Sequence, residues 1–239
     1  MTISVSEYTL FANENINLSF AFVSDLHNCE NEPIFDVIAS IGVDAILVGG
    51  DFIHNSLFFK KGFEFLKSAA TMMPVFCALG NHEIGYSGDL RSKILNMGAT
   101  LLDNDFVNFK GVNIGGLTSG YFYKKEDFKP NIAFLEKFSK TQGFKILLSH
   151  HPEYYAKYIK KLPIDLTLSG HAHGGQWRFF GKGIFAPGQG IFPKYTKGAY
   201  ENRLIVSSGL GNQTVVPKIN NPPEILKVNI KSKYQISID

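Results

Sequence analysis

The stretch Ile16-Asn17-Leu18-Ser19-Phe20-Ala21-Phe22-Val23-Ser24 runs straight into Asp25-Leu26-His27. Its β-branched and aromatic content reads as a buried strand. It ends at a carboxylate and an imidazole, both common metal ligands. The same grammar recurs four times along the chain. The run 45–48 ends at Gly49-Gly50-Asp51, and 75–79 ends at Gly80-Asn81-His82-Glu83. The run 145–148 ends at Ser149-His150-His151, and 164–168 ends at Ser169-Gly170-His171-Ala172-His173. Amphipathic stretches at 34–40, 58–71, 89–96, 126–139 and 153–160 read as helices between them. Alternating strands and helices imply βαβ units and a largely parallel sheet, whose ligands bind beyond the carboxyl ends of the strands. Clusters spread over about 150 residues are therefore expected to meet in space.

Shorter strand signals at 99–102, 106–109, 112–117 and from 177 to the C-terminus predict a second, partly antiparallel sheet against the first. No repeat, linker or low-complexity segment divides the 239 residues, so one domain, 1–239, is expected. The chain is 44% hydrophobic and 19% charged, which is globular, and its net charge of +3 does not demand nucleic acid or an anionic membrane. The two cysteines, Cys29 and Cys77, read as reduced thiols, although Cys29 lies near enough to His27 in sequence to be considered as a soft ligand. No run approaches the roughly 18 apolar residues of a spanning helix. Residues 1–17 carry no basic leader. A cytoplasmic location and no transmembrane anchor are expected.

Six of the 7 histidines fall in these strand-end clusters, and His54 lies just past Asp51. Imidazole with carboxylate suits borderline divalent metals, and the spacing suggests two of them. A pair of ions about 3.5–4 Å apart needs a bridging carboxylate. Asp51, alone and preceded by two glycines, suits that role. Asp25 with His27, and His171 with His173, are two apart and share a side on extended backbone. Asn81 adds a neutral amide, which keeps the site receptive to an anionic phosphate. The alternative, polar groups merely satisfied at strand ends, requires five coincidences in order. Neighbours on a strand point to opposite faces, so His150 is the expected ligand and His151 an expected rim or substrate contact.

Asp-x-His, Gly-Asp, Gly-Asn-His-Glu, a later His and Gly-His-x-His, in that order, resemble the calcineurin-like metallophosphoesterase superfamily. The extended Gly170-His171-Ala172-His173-Gly174-Gly175-Gln176, with Gly209-Leu210-Gly211 and Pro222-Pro223-Glu224, is similar to its bacterial YkuE-like phosphodiesterase branch. The resemblance covers residues 20 to about 230. It implies an α/β fold of four layers, α/β/β/α, with two mixed sheets flanked by helices. It implies two divalent ions, Mn, Fe, Zn, Co or Ni. One would be held by Asp25, His27, Asp51 and His173, the other by Asp51, Asn81, His150 and His171. A metal-bridging hydroxide would attack phosphorus, and His82 would stabilise the phosphate and protonate the leaving oxygen.

The expected substrate is a small phosphoester, with diesters or pyrophosphate-type linkages ahead of monoesters. A phosphomonoesterase, a metal-free interaction module and a nuclease are the rivals. No basic stripe favours nucleic acid. Oligomeric state is left open. One departure from the family concerns the position three residues past the bridging Asp, where protein phosphatases carry a carboxylate and purple acid phosphatases a tyrosine. His54 stands there. It is assigned to phosphate contact or to support behind the ligands, and the partner that orients His82 is left unnamed. Tyr121-Phe122-Tyr123 and Phe192-Pro193-Lys194-Tyr195 are candidates for a substrate rim or for ordinary loop packing. Lys124-Lys125 and Lys160-Lys161 read as solvated faces.

Overall fold

The computed structural model describes residues 2–55, 57–120, 129–212 and 217–235. The strand that runs into Asp25 is β2 (Asn17–Val23), preceded by β1 (Ser4–Ala12). It is followed by α1 (Glu32–Ile41), β3 (Ala45–Val48), α2 (Lys60–Met72), β4 (Val75–Cys77), the short α3 (Asn81–Ile84), α4 (Leu90–Asn96) and β5 (Thr100–Leu101). Next come β6 (Asp105–Phe109), β7 (Val112–Leu117), α5 (Ile132–Ser139), β8 (Phe144–Ser149) and β9 (Leu166–Ser169). Four two-residue strands follow, β10 (Arg178–Phe179), β11 (Lys182–Gly183), β12 (Phe185–Ala186) and β13 (Gly190–Ile191). The chain then forms β14 (Gly198–Tyr200), β15 (Leu204–Val206) and β16 (Glu224–Ser232).

Among the described residues, two six-stranded sheets form, ordered β1-β16-β2-β3-β4-β5 and β14-β15-β9-β8-β7-β6. Strands β2 to β5 run parallel, as do β7, β8, β9 and β15, while β16 against β2 and β6 against β7 are antiparallel. Both sheets are therefore mixed. Alternation along β2 divides its side chains between two cores. Phe20 and Phe22 pack with Leu47 and Phe76 against Ile114, Ile146, Leu148 and Leu168 of the facing sheet. Ala21 and Val23 turn the other way, onto Ile34 and Ile38 of α1 and Phe65, Leu66 and Ala69 of α2. On the far side Leu147 and Val206 cover Phe134, Leu135 and Phe138 of α5. The result is the four-layer α/β/β/α order. Each of these fully buried large side chains contributes roughly 1.5–3 kcal/mol, so the sandwich holds its strand ends in fixed register.

Several expectations need correcting. Strands β5 and β16, expected in the second sheet, lie in the first, and β8 and β9, expected beside β2 to β4, lie in the second. The first strand, β1, lies outside the runs read as strands. Its burial alternates residue by residue at the sheet edge, and it pairs in parallel with β16 from Ser4 opposite Glu224 to Ala12 opposite Ser232. The helix expected over 153–160 begins with α geometry at Glu153 and Tyr154 and widens to a π turn at Tyr155–Ile159, closed by Lys160 N–H donating to the Tyr155 carbonyl at 2.8 Å. The expected helix 126–139 is α5, capped by Asn131, whose side chain accepts from Phe134 N–H at 3.0 Å. Its expected first residues, with Tyr121-Phe122-Tyr123 and Lys124-Lys125, lie outside the described residues. No described helix is long and apolar enough to cross a membrane.

Candidate metal centre

The loops leaving β2, β3, β4, β8 and β9 meet at one edge of the sandwich. They bring together Asp25, His27, Asp51, Asn81, His82, His150, His171 and His173. Asp25 Oδ1 lies 3.8 Å from His27 Nε2, 3.8 Å from His150 Nε2 and 3.7 Å from His173 Nε2. Asp51 Oδ2 lies 3.0 Å from His150 Nε2 and 3.9 Å from both His27 Nε2 and His82 Nε2. Asp25, His27 and His173 form one group able to hold an ion, and Asp51, His150 and His171 form another. Asn81 Oδ1 is buried with no hydrogen-bond partner among the described residues. An amide oxygen left without a donor beside carboxylates fits a cation, because a buried acceptor is otherwise costly.

The backbone accepts strain to make this cluster, and the extended alternation expected to pair Asp25 with His27 and His171 with His173 is absent. Asp25, His27, Asp51, His171 and His173 all have positive φ, between 46° and 63°. Each such residue costs roughly 1–3 kcal/mol and persists where function over-determines it. The left-handed turn reverses the chain just past each strand end and returns the side chain to the cleft. Two glycines permit the close approach: a Cβ on Gly80 would lie 2.1 Å from Asp51 Oδ1, and one on Gly170 would lie 2.4 Å from Asp25 Oδ2. Backbone donors then fix the carboxylates. His82 N–H donates to Asp51 Oδ1 at 2.9 Å, and His171 N–H donates to Asp25 Oδ1 at 3.0 Å.

Protonation follows from the same packing. Burial is the first cause that holds His27, His171 and His173 below the ordinary imidazole range. Neutral imidazole is the form a metal needs. For His150 and Asp51, burial opposes charge on both, but their mutual contact outweighs it. His150 is raised to about 10, and Asp51 is held well below the usual carboxylate range. The His150 ring is oriented from behind by the Gly49 carbonyl, 2.9 Å from Nδ1, which leaves Nε2 facing the cluster.

A family model described as calcineurin-like phosphoesterase matches residues 18–175, from the start of β2 through the Gly-His-x-His loop. The chain belongs to this family. It is 29% identical over 199 residues to an uncharacterized metallophosphoesterase of Helicobacter pylori, covering 81% of this chain and 52% of that one. It is 27% identical over 233 residues to the uncharacterized metallophosphoesterase YkuE of Bacillus subtilis, covering 91% and 78%. It is 28% identical over 271 residues to the UDP-2,3-diacylglucosamine pyrophosphatase LpxG of Chlamydia muridarum, covering 85% and 80%. This chain spans about half the length of the Helicobacter relative.

Within the calcineurin-like phosphoesterase frame, the structure names the partner of His82 that the sequence left open. His82 Nδ1–H donates to the backbone carbonyl of His54. Residue 54 thus supports His82 through its main chain, and its ring stands 5.6 Å from that of His82, centroid to centroid. His54 is half-buried, and burial followed by the nearby His82 lowers its pKa. His151 is not on a rim. It is fully buried, with its ring 4.1 Å from that of His171 and its Nδ1 3.4 Å from Glu153 Oε1. Cys29 joins no candidate metal group among the described residues, and burial raises its thiol to about 11.

Three supporting residues escaped the sequence reading. Glu83 is buried behind Asp51: its Oε2 accepts from Asp51 N–H at 2.7 Å and Gly80 N–H at 2.8 Å, and its Oε1 accepts from Ile53 N–H at 3.0 Å. It ties the loop after β3 to the loop after β4. Burial, then the Asp51 charge, push its pKa up to about 8. Glu153 stands beside both His151 and His171. Asn221 Nδ2 donates to the His173 carbonyl at 2.7 Å and the Gln176 carbonyl at 3.2 Å, which pins the turn carrying His173. The Glu after Asn-His was the one legible signal among these.

Proposed function

We propose that this chain hydrolyses phosphate esters with two divalent ions, diesters or pyrophosphate-type linkages ahead of monoesters. Asp25, His27, Asp51 and His173 would hold one ion. Asp51, Asn81, His150 and His171 would hold the other. The observation that carries the reading is Asp51 Oδ2, which lies 3.0 Å from His150 Nε2 of its own candidate group and 3.9 Å from His27 Nε2 of the other. A carboxylate so placed suits a bridge. Two ions bound there would polarise the phosphoryl oxygens and bring the pKa of a coordinated water toward neutrality.

The rest falls to the chain's own groups. His82 presents Nε2 toward Asp51 while its Nδ1 is held by the His54 carbonyl. It is therefore aimed to bond a phosphoryl oxygen and to give a proton to the leaving oxygen. His151 and Glu153 stand behind His171 and hold its ring rather than meet substrate. The LpxG relative, named for cleaving a pyrophosphate link in a lipid-bearing nucleotide sugar, supports the linkage class. Mn, Fe, Zn, Co and Ni all suit mixed imidazole, carboxylate and amide donors. The test is turnover of bis(p-nitrophenyl) phosphate and p-nitrophenyl phosphate across these ions. The diester is expected to be preferred, and Asp51→Ala is expected to lose at least about a thousandfold, the scale of losing a principal transition-state contact. Full activity in Asp51→Ala would sink the mechanism.

A further inference from the structure

The segment from β10 to β13 is a small meander that the catalytic reading does not use. Phe179 pairs with Lys182 across the first hairpin, and Phe185 pairs with Ile191 across the second. Ile184 joins the hairpins: its N–H donates to the Trp177 carbonyl at 2.9 Å, and its carbonyl accepts from Phe192 N–H at 2.8 Å. Chain direction reverses at each turn, so the meander has two ends. Gly188 lies at the inner end, where a Cβ would sit 2.2 Å from Glu153 Oε1 and 3.5 Å from His171 Nε2. The turn Phe179-Phe180-Gly181-Lys182 lies at the outer end, and the strand returning from Gly188 heads back toward it, with Phe192 bonded to Ile184, two residues from Lys182. The five residues 182–186 between the ends span at most about 17 Å.

The outer end is built at a double cost. Phe180 is 104% exposed and Phe192 is 77% exposed, and both have positive φ, 51° and 54°. Bulky residues are genuine outliers in that region, where Asn, Asp or Gly are the usual occupants of an exposed turn. Neither ring packs into a core. The tip is nevertheless rigidly mounted. Arg178 donates to the Gly174 carbonyl at 2.5 Å and to Thr196 Oγ1 at 3.2 Å, and it also bonds the Gly181 carbonyl of the turn. Gln189 Nε2 donates to the Tyr195 carbonyl at 2.6 Å, and Gln189 Oε1 accepts from Tyr195 N–H at 2.9 Å.

Charge selects the partner. Residues 166–200 contain no Asp or Glu, but they carry Arg178, Lys182, Lys194 and Lys197. Lys197 is paired with Glu224 at 2.9 Å, and Arg178 is turned inward. Lys182 and Lys194 are exposed and flank the two rings. Glu201, whose charge is felt at Lys194, is bonded to Lys160 at 2.8 Å. We propose that this aromatic and basic tip docks the protein on an anionic lipid bilayer, with Phe180 and Phe192 entering the interface and Lys182 and Lys194 meeting lipid phosphates. Protruding aromatic tips beside lysines match an interface in which apolar groups enter and cations meet negative headgroups. A second copy fits poorly. A two-fold contact would set each lysine pair against its own equivalent with no acid from this segment to offset it. The inference does not depend on the catalytic reading, because its test uses no substrate.

The experiment is flotation of the purified chain on vesicles of phosphatidylglycerol with phosphatidylcholine, and on phosphatidylcholine alone, at low and high salt. The wild-type chain is expected to float with the anionic vesicles and to release as salt screens the lysines. Phe180→Ser with Phe192→Ser is expected to lose at least about tenfold in partitioning. Lys182→Glu with Lys194→Glu is expected to lose about 25-fold or more, from about fivefold per lysine near the surface. Phe11→Ser, an exposed ring on β1, is the control and is expected to keep binding. Unchanged thermal melting of each variant excludes misfolding. The proposal is overturned if the wild type ignores anionic vesicles, if both double variants bind like the wild type, or if Phe11→Ser weakens binding equally. It is also overturned if sedimentation shows a dimer that Phe180→Ser with Phe192→Ser dissociates.

Discussion

Asp25, His27, Asp51, His171 and His173 sit in left-handed backbone and are buried; Phe180 and Phe192 share that backbone region and stand in solvent. The first group buries polar side chains where apolar ones are usual, and the second exposes apolar rings where polar ones are usual. In both, a tight left-handed turn sends a side chain in a direction that ordinary extended or helical backbone would not. The difference lies in what the turn is tied to. At the cluster, neighbouring loops bond one another through Glu83, Asp51 and Asp25, so no single turn can relax alone. At the tip, Arg178 and Gln189 hold the mount while the rings themselves touch little.

Substitutions test that contrast, beginning at the cluster. His82→Ala is expected to lower diester turnover by about 10²–10⁴-fold, the usual worth of a positioned proton donor. His54→Ala keeps the carbonyl that holds His82, so it is expected to lose less than about a tenth of that effect. Equal losses in the two variants would show that the His54 ring, not its carbonyl, does the work. Glu83→Ala strands three buried N–H groups and is expected to destabilise the fold on the order of 3–5 kcal/mol. That corresponds to a melting temperature lower by roughly 10 °C for a chain of this size. A shift under about 2 °C would mean the two loops hold without it. At the tip the expectation reverses. Phe180→Gly relieves a strained turn at some cost in chain entropy, for a net change under about 1 kcal/mol in urea unfolding. A loss above about 2 kcal/mol would show that the ring is packed after all.

Much of the cluster was legible because its chemistry is periodic in the chain. Each ligand follows a run of apolar residues, and a strand end is a position that sequence can mark. Asp25, Asp51, His150 and His171 are legible for that reason, whereas the α/β/β/α order is implied by the family resemblance and not by the alternation, which implies only βαβ units and a largely parallel sheet. The rest lacked a side-chain signature. The partner of His82 is a carbonyl, which any residue at position 54 would supply. Glu83 is marked only by its place after Asn-His; its bonds to Asp51 and Ile53 N–H, about 30 residues away, leave no spacing pattern. The edge strand β1 carries none of the candidate ligands, and its half-exposed alternation is weaker than the runs beside it. The meander at 177–192 is made of two-residue strands, too short for a period to show.

Calorimetric titration of metal-free protein with Mn²⁺ or Zn²⁺, repeated in buffers of different ionisation heat, tests the proposed pair of metal ions most directly. Without metal, the raised His150 pKa of about 10 means that the imidazole is protonated at pH 7. The protonated His150–Asp51 pair stabilises the metal-free fold fully below the unfolded imidazole pKa of about 6.5, and that contribution is lost as pH rises through about 10. A metal must displace this proton, so affinity should rise with pH across that window. The account predicts two ions per chain with about one proton released from His150 at pH 7, and loss of at least one ion in Asp51→Ala. Fewer than about one ion per chain, or binding indifferent to pH between about 6.5 and 10, would contradict it.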